Sequence, residues 1–287
     1  MPRLAYVNGR YLPHRDAVVH IEDRGFQFAD GVYEVVAIAE GRLADFEGHM
    51  TRLARSLAEL RIEWPMSRSA LQVAMHELVR RNRVRNGLLY VQVTRGSAPR
   101  DFKFPKAARP TVVLTARSVA RFASPEQIAQ GVPVITIPDI RWLRRDIKSV
   151  ALLPQVLGKQ QAAEAGAFEA WQIDRDGMVT EGCSSNAWIV TADGVLVTRH
   201  ADNLILNGIT RQNLLRLAEA AGLRAEIRAF SLAEVWTARE AFLSSASTFA
   251  LPVTRIDGQP VGEGKPGPVT RQLRAAYLET LAAGIPV

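Results

Sequence analysis

Two-residue turns built on glycine constrain this chain more than any other feature of its sequence. Asn8-Gly9 sits between the short aromatic-bearing segments of YVNGRYL, and Glu40-Gly41 divides GVYEVVAIAEGRLA. Asp-Gly pairs punctuate AWQIDRDGMVTEG and NAWIVTADGVLVT in the same way. Each pair tolerates the positive φ of a tight hairpin turn, so its flanks must fold back on one another as strands. Between these hairpins the apolar period changes. FEGHMTRLARSLAELRI places Leu53, Leu57 and Leu60 on one helical face, and SRSALQVAMHELVRRNRV reads as a second helix. The strands GLLYVQVTRG and TVVLTARS follow. Strands and helices alternating in blocks predict an α+β arrangement for this half.

Around SVARFASPEQIAQG the strand pattern stops, which predicts an N-terminal domain over 1–120, a linker over 121–131 and a second domain over 132–287. The second domain opens with the strand VPVITIP and a helix through LLPQVLGKQQAAEAG. After the Asp-Gly meander come the helix ITRQNLLRLAEAAG, the strand EAFLSSAS and a terminal helix TRQLRAAYLETLAAG. The expected fold class is α/β (α+β) in two domains, with a small-molecule site in the cleft between them.

Composition narrows the function. At 47% apolar, 287 residues can bury real cores. No apolar run is long enough for a membrane span, and MPRLAYVNGR lacks the apolar region of a signal peptide. Cys183 is the single cysteine, which excludes an internal disulfide framework and a multi-cysteine metal site. A cytoplasmic protein without a metal centre is expected. The net charge of +7 raises the question of nucleic acid, but the arginines are scattered and no nucleic-acid-binding motif accompanies them. A basic surface equally attracts acidic metabolites.

Lysine is rare here, at positions 103, 106, 148, 159 and 265 only, while arginine is abundant. An amine can lose its proton near neutral pH and attack a carbonyl; a guanidinium cannot. Lys103 and Lys106 lie in the charged loop PRDFKFPK, and Lys159 is expected to be exposed on a helix. Lys265, in GEGKPGP, lacks the spacing and the hydroxyl of a phosphate loop. Lys148 differs, lying between an isoleucine and SVALLPQVL, where partial burial would favour the neutral amine that Schiff-base chemistry requires. On spacing alone it reads as a snorkelling lysine at a helix start.

Its companions change that reading. In MVTEGCSSNAWIV, Glu181 ends a strand before a turn of small residues that would let a flat ring approach the backbone. A carboxylate there can keep a pyridine nitrogen protonated. In LILNGITRQNLL, the amides of Ile209 and Thr210 at a helix start, with the Thr210 hydroxyl, form a phosphate-ready group. Taken alone, Thr210 is a common helix cap, Glu181 an exposed turn glutamate, and Arg52 a solvated helix arginine. Together they describe a pyridoxal phosphate site.

These stretches, with HIEDRGFQFADGVYEVV, HMTRLARSL, VQVTRGSAPR and RWLRRDIKSVALLPQVLGKQQAAEAGAFEAW, resemble the fold-type IV pyridoxal-phosphate enzymes, and among them the D-amino-acid aminotransferases most closely. The resemblance runs in family order over nearly the whole chain. It implies that Lys148 forms the Schiff base with the cofactor and moves the substrate proton, and that Glu181 partners the pyridine nitrogen. It implies a phosphate cup of Arg52, Ile209 and Thr210, Leu206 against the ring, and Ser184 beside it. Ser245 and Ala246 would line the site near phosphate and substrate, and Tyr33 would face the substrate carboxylate. It further implies transamination between a D-amino acid and a 2-oxo acid in a homodimer, where a loop of one subunit completes the partner's site. Relatives carry Arg-x-His in that loop; here the run is Arg100-Asp101-Phe102-Lys103, and phenylalanine cannot donate a hydrogen bond. Arg24, Lys103 or Arg144 could supply the missing donor. Branched-chain L-aminotransferases and aminodeoxychorismate lyases share the lysine and glutamate and are the close alternatives. A non-catalytic binder of anionic ligands or nucleic acid would need no releasable lysine.

Overall fold

The Asn8-Gly9 hairpin forms as its sequence dictates. Strands β1 (Leu4–Val7) and β2 (Arg10–Pro13) pair with Tyr6 opposite Tyr11, and Asn8 and Gly9 take φ of 46° and 94°. The computed structural model describes residues 3–281 and 285–286. A short helix α1 (Arg24–Phe28) leads into the long strand β3 (Gly31–Ala39), which turns at Glu40-Gly41 into β4 (Arg42–Leu43). Helices α2 (Phe46–Glu59) and α3 (Arg68–Asn82) follow, the latter capped by the Ser67 hydroxyl, then β5 (Gly87–Thr94) and β6 (Thr111–Ser118). With the terminal strand Ile285–Pro286 these make a seven-stranded antiparallel sheet in the order Ile285–Pro286, β4, β3, β5, β6, β1, β2. Val32, Val36 and Ile38 of β3 share one core with Met50, Leu53 and Leu57 of α2 and Leu71, Met75 and Leu78 of α3. Each such side chain contributes about 1.5–3 kcal/mol on burial.

Residues 121–131, expected as a linker, hold a well-capped helix α4 (Pro125–Gln130). Its Ser124 and Gln127 satisfy each other's backbone amides. The second sheet then takes β7 (Val132–Pro138), helix α5 (Leu153–Glu164), β8 (Glu169–Ile173), β9 (Val179–Gly182), β10 (Asn186–Val190) and β11 (Leu196–Thr198). Helix α6 (Ile209–Ala220), β12 (Ala225–Ile227), α7 (Leu232–Thr237), β13 (Glu240–Ser245), β14 (Phe249–Ile256), β15 (Gln259–Pro260) and α8 (Pro268–Thr280) complete it. The order is β12, β11, β10, β13, β14, β7, β8, β9, with β15 beside β14. The sheet is mixed, since β14–β7, β7–β8 and β11–β12 are parallel. Strand β14 is absent from the sequence reading, because Pro252 interrupts FALPVTRI and a proline argues against a central strand. Pairing to β7 begins only at Val253, past the proline.

By packing, the chain forms two compact units. The first comprises the described residues of Met1–Arg121, Ile147–Ala151 and Leu281–Val287, and the second Phe122–Asp146 and Leu152–Thr280. The segment bearing Lys148 thus packs with the first unit, whereas the sequence reading assigned it to the second domain. The terminal helix ends at Thr280; residues 282–284, to which the sequence pattern extended it, lie outside the described residues. Among the described residues no helix is long and apolar enough to cross a membrane.

Candidate active site

In the first unit, Lys148 is fixed by its backbone. The Tyr33 amide donates to the Lys148 carbonyl at 3.0 Å, the Val150 amide to the Gly31 carbonyl at 3.0 Å, and Val32 bridges to Ser149. The Lys148 amide donates to the Ser56 hydroxyl at 3.3 Å, and Ile147 anchors the segment in the core. Segment 147–151 therefore lies along the start of β3 rather than at a helix start; α5 begins at Leu153. The side chain is partly buried, as its apolar neighbours suggested, and Nζ stands 4.2 Å from the centroid of the Tyr33 ring. Tyr33 is only partly buried and lies beside Tyr90, centroids 5.8 Å apart. Tyr90 is a site neighbour the sequence reading passed over; burial, aided by Tyr33, pushes its hydroxyl up to about 12.

Arg52 occupies a more elaborate setting than a solvated helix face. Its Nε and Nη2 donate to the two oxygens of Glu34 at 2.8 and 2.7 Å, and His49 Nδ1 lies 2.7 Å from Glu34 Oε2. Glu34 is fully buried on β3. Burial alone would raise its carboxyl, but Arg52 and His49 more than reverse this and hold it at about 2. The folded value lies below that of an unfolded glutamate, about 4.3. The associated stability is therefore complete above that value and is lost as pH falls through about 2. In urea unfolding between pH 5 and pH 2, the wild type should lose about 3 kcal/mol more than Glu34→Gln. Parallel losses in the two proteins would show that the pair is not held as described.

The loop expected to grip a carboxylate is exposed. Arg100 stacks its guanidinium over Phe28 at 5.0 Å and Phe102 at 5.7 Å, and Phe28 packs against Phe102. Arg24 is buried and committed, with Nε on Asp30 at 2.8 Å and Nη1 on the Asp101 carbonyl at 2.6 Å. It anchors the loop instead of reaching out from it. Arg95 shares Asp30 and stacks over Phe104, securing the loop's other end. Lys103 is exposed, its amide on Asp101, and Arg144, in the second unit, pairs with Asp146 at 3.0 and 3.1 Å.

In the second unit Glu181 is buried rather than exposed. Its carboxylate accepts from Arg141 Nη1, from Asn186 Nδ2 at 2.9 Å and from the Leu206 amide at 3.1 and 3.2 Å. Burial drives the carboxyl above the ordinary range, while Arg141 and the Leu206 amide pull the other way and Asp139 adds to the push. Arg141 is itself held by Asp139 at 3.0 and 2.7 Å, and Asp139 accepts from Thr180 at 2.7 Å. Asn186 also donates to the Leu206 carbonyl at 2.9 Å, so one side chain ties the Glu181 strand to the approach to α6. Gly208 must remain glycine, because a Cβ there would stand 2.1 Å from Asn186 Oδ1. As the N-cap of α6 it offers no side-chain cap, so the first amides of the helix, those of Ile209 and Thr210, lack one. Thr210 is buried inside the first turn and is not the cap.

Two small-residue turns complete the group. Ser184 and Ser185 both donate to Glu169, at 2.7 and 3.1 Å. Ser245 shares its hydroxyl with Ser247 and Thr248 at 3.1 and 2.8 Å, beside partly buried Ala246. Cys183 is buried, and burial, reinforced by Glu169, pushes its thiol up to about 12, so it packs as a small apolar residue. The sequence reading missed Glu34, His49, Arg141 and Asn186. The available signal was a charged residue on the inward face of an otherwise apolar strand, as at Glu34.

Comparison with known proteins gives the family. The family model "Amino-transferase class IV" matches residues 31–256. A D-alanine aminotransferase of Bacillus licheniformis is 46% identical over 275 residues, covering 96% of this chain and 95% of that protein. Among solved structures, the Escherichia coli branched-chain amino acid aminotransferase superposes with a TM-score of 0.91 at 24% identity, covering 98% of this chain and 95% of its own. The T.th. branched-chain enzyme with pyridoxamine 5'-phosphate gives 0.90 at 26% identity, covering 99% and 95%.

Proposed function

Because the chain belongs to the class IV aminotransferases, a family that works with pyridoxal phosphate, we propose that it transfers the amino group of a D-amino acid such as D-alanine to a 2-oxo acid such as pyruvate or 2-oxoglutarate. The observation that carries the reading is the 46% identity to a D-alanine aminotransferase over nearly the full length of both chains. The donor set suits the cofactor. A buried carboxylate held by three donors matches a protonated ring nitrogen, and an uncapped helix start matches a phosphate.

Bound pyridoxal phosphate supplies an electrophilic carbon and an electron-accepting ring. Lys148 would hold the cofactor through Nζ, and the same amine, once free, would serve as the base for the substrate α-proton. Tyr33, against Nζ, confines that amine and lines the substrate side. Glu181 would keep a proton on the ring nitrogen. In the second unit the Ile209 and Thr210 amides and the Thr210 hydroxyl would hold a phosphate; in the first, Arg52, its guanidinium fixed by Glu34, is the assigned countercharge. Leu206 would lie against the ring, and Ser184, Ser245 and Ala246 would line the site. Arg100 receives the substrate carboxylate, with Lys103 and Arg144 as further donors. Arg24 supports the loop from below.

The reading includes a homodimer. On α5, Leu153, Val156 and Leu157 are 68%, 58% and 51% exposed at helical spacing, and Ile140 and Leu143 just before it are 65% and 71% exposed. An apolar face of this kind is suited to a second copy. A single free cysteine accords with the cytoplasm.

The branched-chain L-aminotransferase reading is kept because the superposed structures carry that activity in their names. The two separate in one experiment. The holoprotein is mixed in single turnover with D-alanine or, separately, L-leucine, and the cofactor absorbance is followed. Conversion with D-alanine alone is the expected result. Conversion with L-leucine alone would replace this reading with its alternative.

A further inference from the structure

Glu169 is a buried carboxylate with no part in the chemistry above. It opens β8, is 1% exposed, and gathers five donors. The Ala170 amide donates to Oε1 at 3.1 Å, and Lys159 Nζ lies 3.4 Å from the same oxygen. On Oε2 converge the Ser184 amide at 3.2 Å, the Ser184 hydroxyl at 2.7 Å and the Ser185 hydroxyl at 3.1 Å. Lys159, expected to be exposed, is only 39% so, and its amine also donates to the Phe168 carbonyl at 2.6 Å. The surroundings admit no slack. A Cβ on Gly182 would stand 2.3 Å from Ser185 Oγ, and one on Gly158 2.5 Å from Cys183 Sγ.

We propose that Glu169, held by Lys159, is a positioning residue of the cofactor site: it fixes the Ser184–Ser185 turn and accepts the one hydrogen bond the Ser184 hydroxyl can donate. A serine hydroxyl has one proton and two lone pairs. With that proton and the Ser184 amide both on Glu169, exposed Ser184 offers a ligand an acceptor and no donor. The fully ionised phosphate ester, which predominates well above its second pKa of about 6, has no proton and only accepts. Ser184 therefore does not bind the phosphate; it receives a donor-bearing group such as an ammonium, a hydroxyl or a water. The inference rests on the site reading above only for what the turn faces.

The test has three arms. In cofactor-free protein, Cys183 is the sole cysteine and reports on the turn. Glu169→Gln should raise its rate of modification by 5,5'-dithiobis(2-nitrobenzoate) at least about tenfold, because an amide sets a donor against either Lys159 and Ala170 or the serines. An unchanged rate overturns the proposal. In the second arm, Glu169→Gln should weaken pyridoxal phosphate binding about tenfold in the wild-type background and less than about twofold in Ser184→Ala/Ser185→Ala. Equal weakening in both backgrounds overturns it, since a general structural loss would not depend on the serines. In the third, at neutral pH, Ser184→Ala should leave the affinity for sulfate, an anion without a proton, unchanged; a loss of about tenfold overturns the assignment of its hydroxyl hydrogen. If Glu169→Gln does not fold, Lys159→Met enters the first two arms in its place. A wild-type protein that binds no pyridoxal phosphate removes the site reading, and the thiol arm still decides the role of Glu169 in the turn.

Discussion

Lys148→Ala is expected to lower the turnover of D-alanine by more than about 10³-fold while leaving the fold intact, on the scale of a lost proton carrier. The reason for expecting both halves is structural. What fixes the segment is main chain: the Tyr33 and Val150 amides and the contact to Ser56 do not involve the lysine side chain. The side chain itself is partly buried, with its amine over the Tyr33 ring. Truncation therefore removes chemistry and little packing, and urea unfolding should move by less than about 1 kcal/mol. Lys148→Arg sharpens the test, because it preserves the positive charge but cannot release a proton near neutral pH. It should be as inactive as the alanine variant. If Lys148→Arg retained turnover within tenfold of wild type, Lys148 would be serving as a charge and not as a base, and the assignment would fail.

Why this lysine stands out in the sequence, while most of its surroundings do not, has a physical basis. Hairpins at Asn8-Gly9 and Glu40-Gly41 are written locally, in two residues whose φ values few other side chains accept. Helices α2 and α3 are written in a period that spans only a few turns. Lys148 is conspicuous because lysine is scarce in this chain. The partners that give these residues their chemistry are distant: Glu34 lies 18 positions from Arg52, and Arg141 lies 40 from Glu181. No local pattern encodes such pairings; they follow from sheet register and from loops returning past it. Arg52 shows the consequence, reading as solvated on its helix but forming a buried bidentate pair in the fold. Strand β14 escapes the sequence reading for the opposite reason, since Pro252 carries a strong local signal that tertiary context overrides.

Arg141→Leu is expected to destabilise the cofactor-free protein by about 3–5 kcal/mol, the cost of leaving a buried carboxylate without its partner. Here two carboxylates depend on one guanidinium, since Arg141 donates to Asp139 and Glu181, and neither side chain is more than 5% exposed. Burial already drives Glu181 above the ordinary range, with Arg141 as the first of the groups opposing it. Removing the guanidinium lets the acid become neutral, which limits the cost but abolishes the negative charge that would hold a proton on a ring nitrogen. Adding Glu181→Gln to Arg141→Leu should therefore restore about 1–3 kcal/mol, because an amide can be buried more cheaply than an unpaired carboxylate. Recovery will be incomplete, as Asp139 loses the guanidinium and is left with the main-chain amide of residue 141 at 3.1 Å, Thr180 at 2.7 Å and a longer contact of 3.4 Å to Arg145. The measurement is a double-mutant cycle by urea unfolding. A coupling energy below about 0.5 kcal/mol would mean that the two side chains act independently. A larger one, with destabilisation relieved by the second substitution, would show that the arginine holds an ionised glutamate in the core of the second unit. That ionised state is the one its assigned role requires.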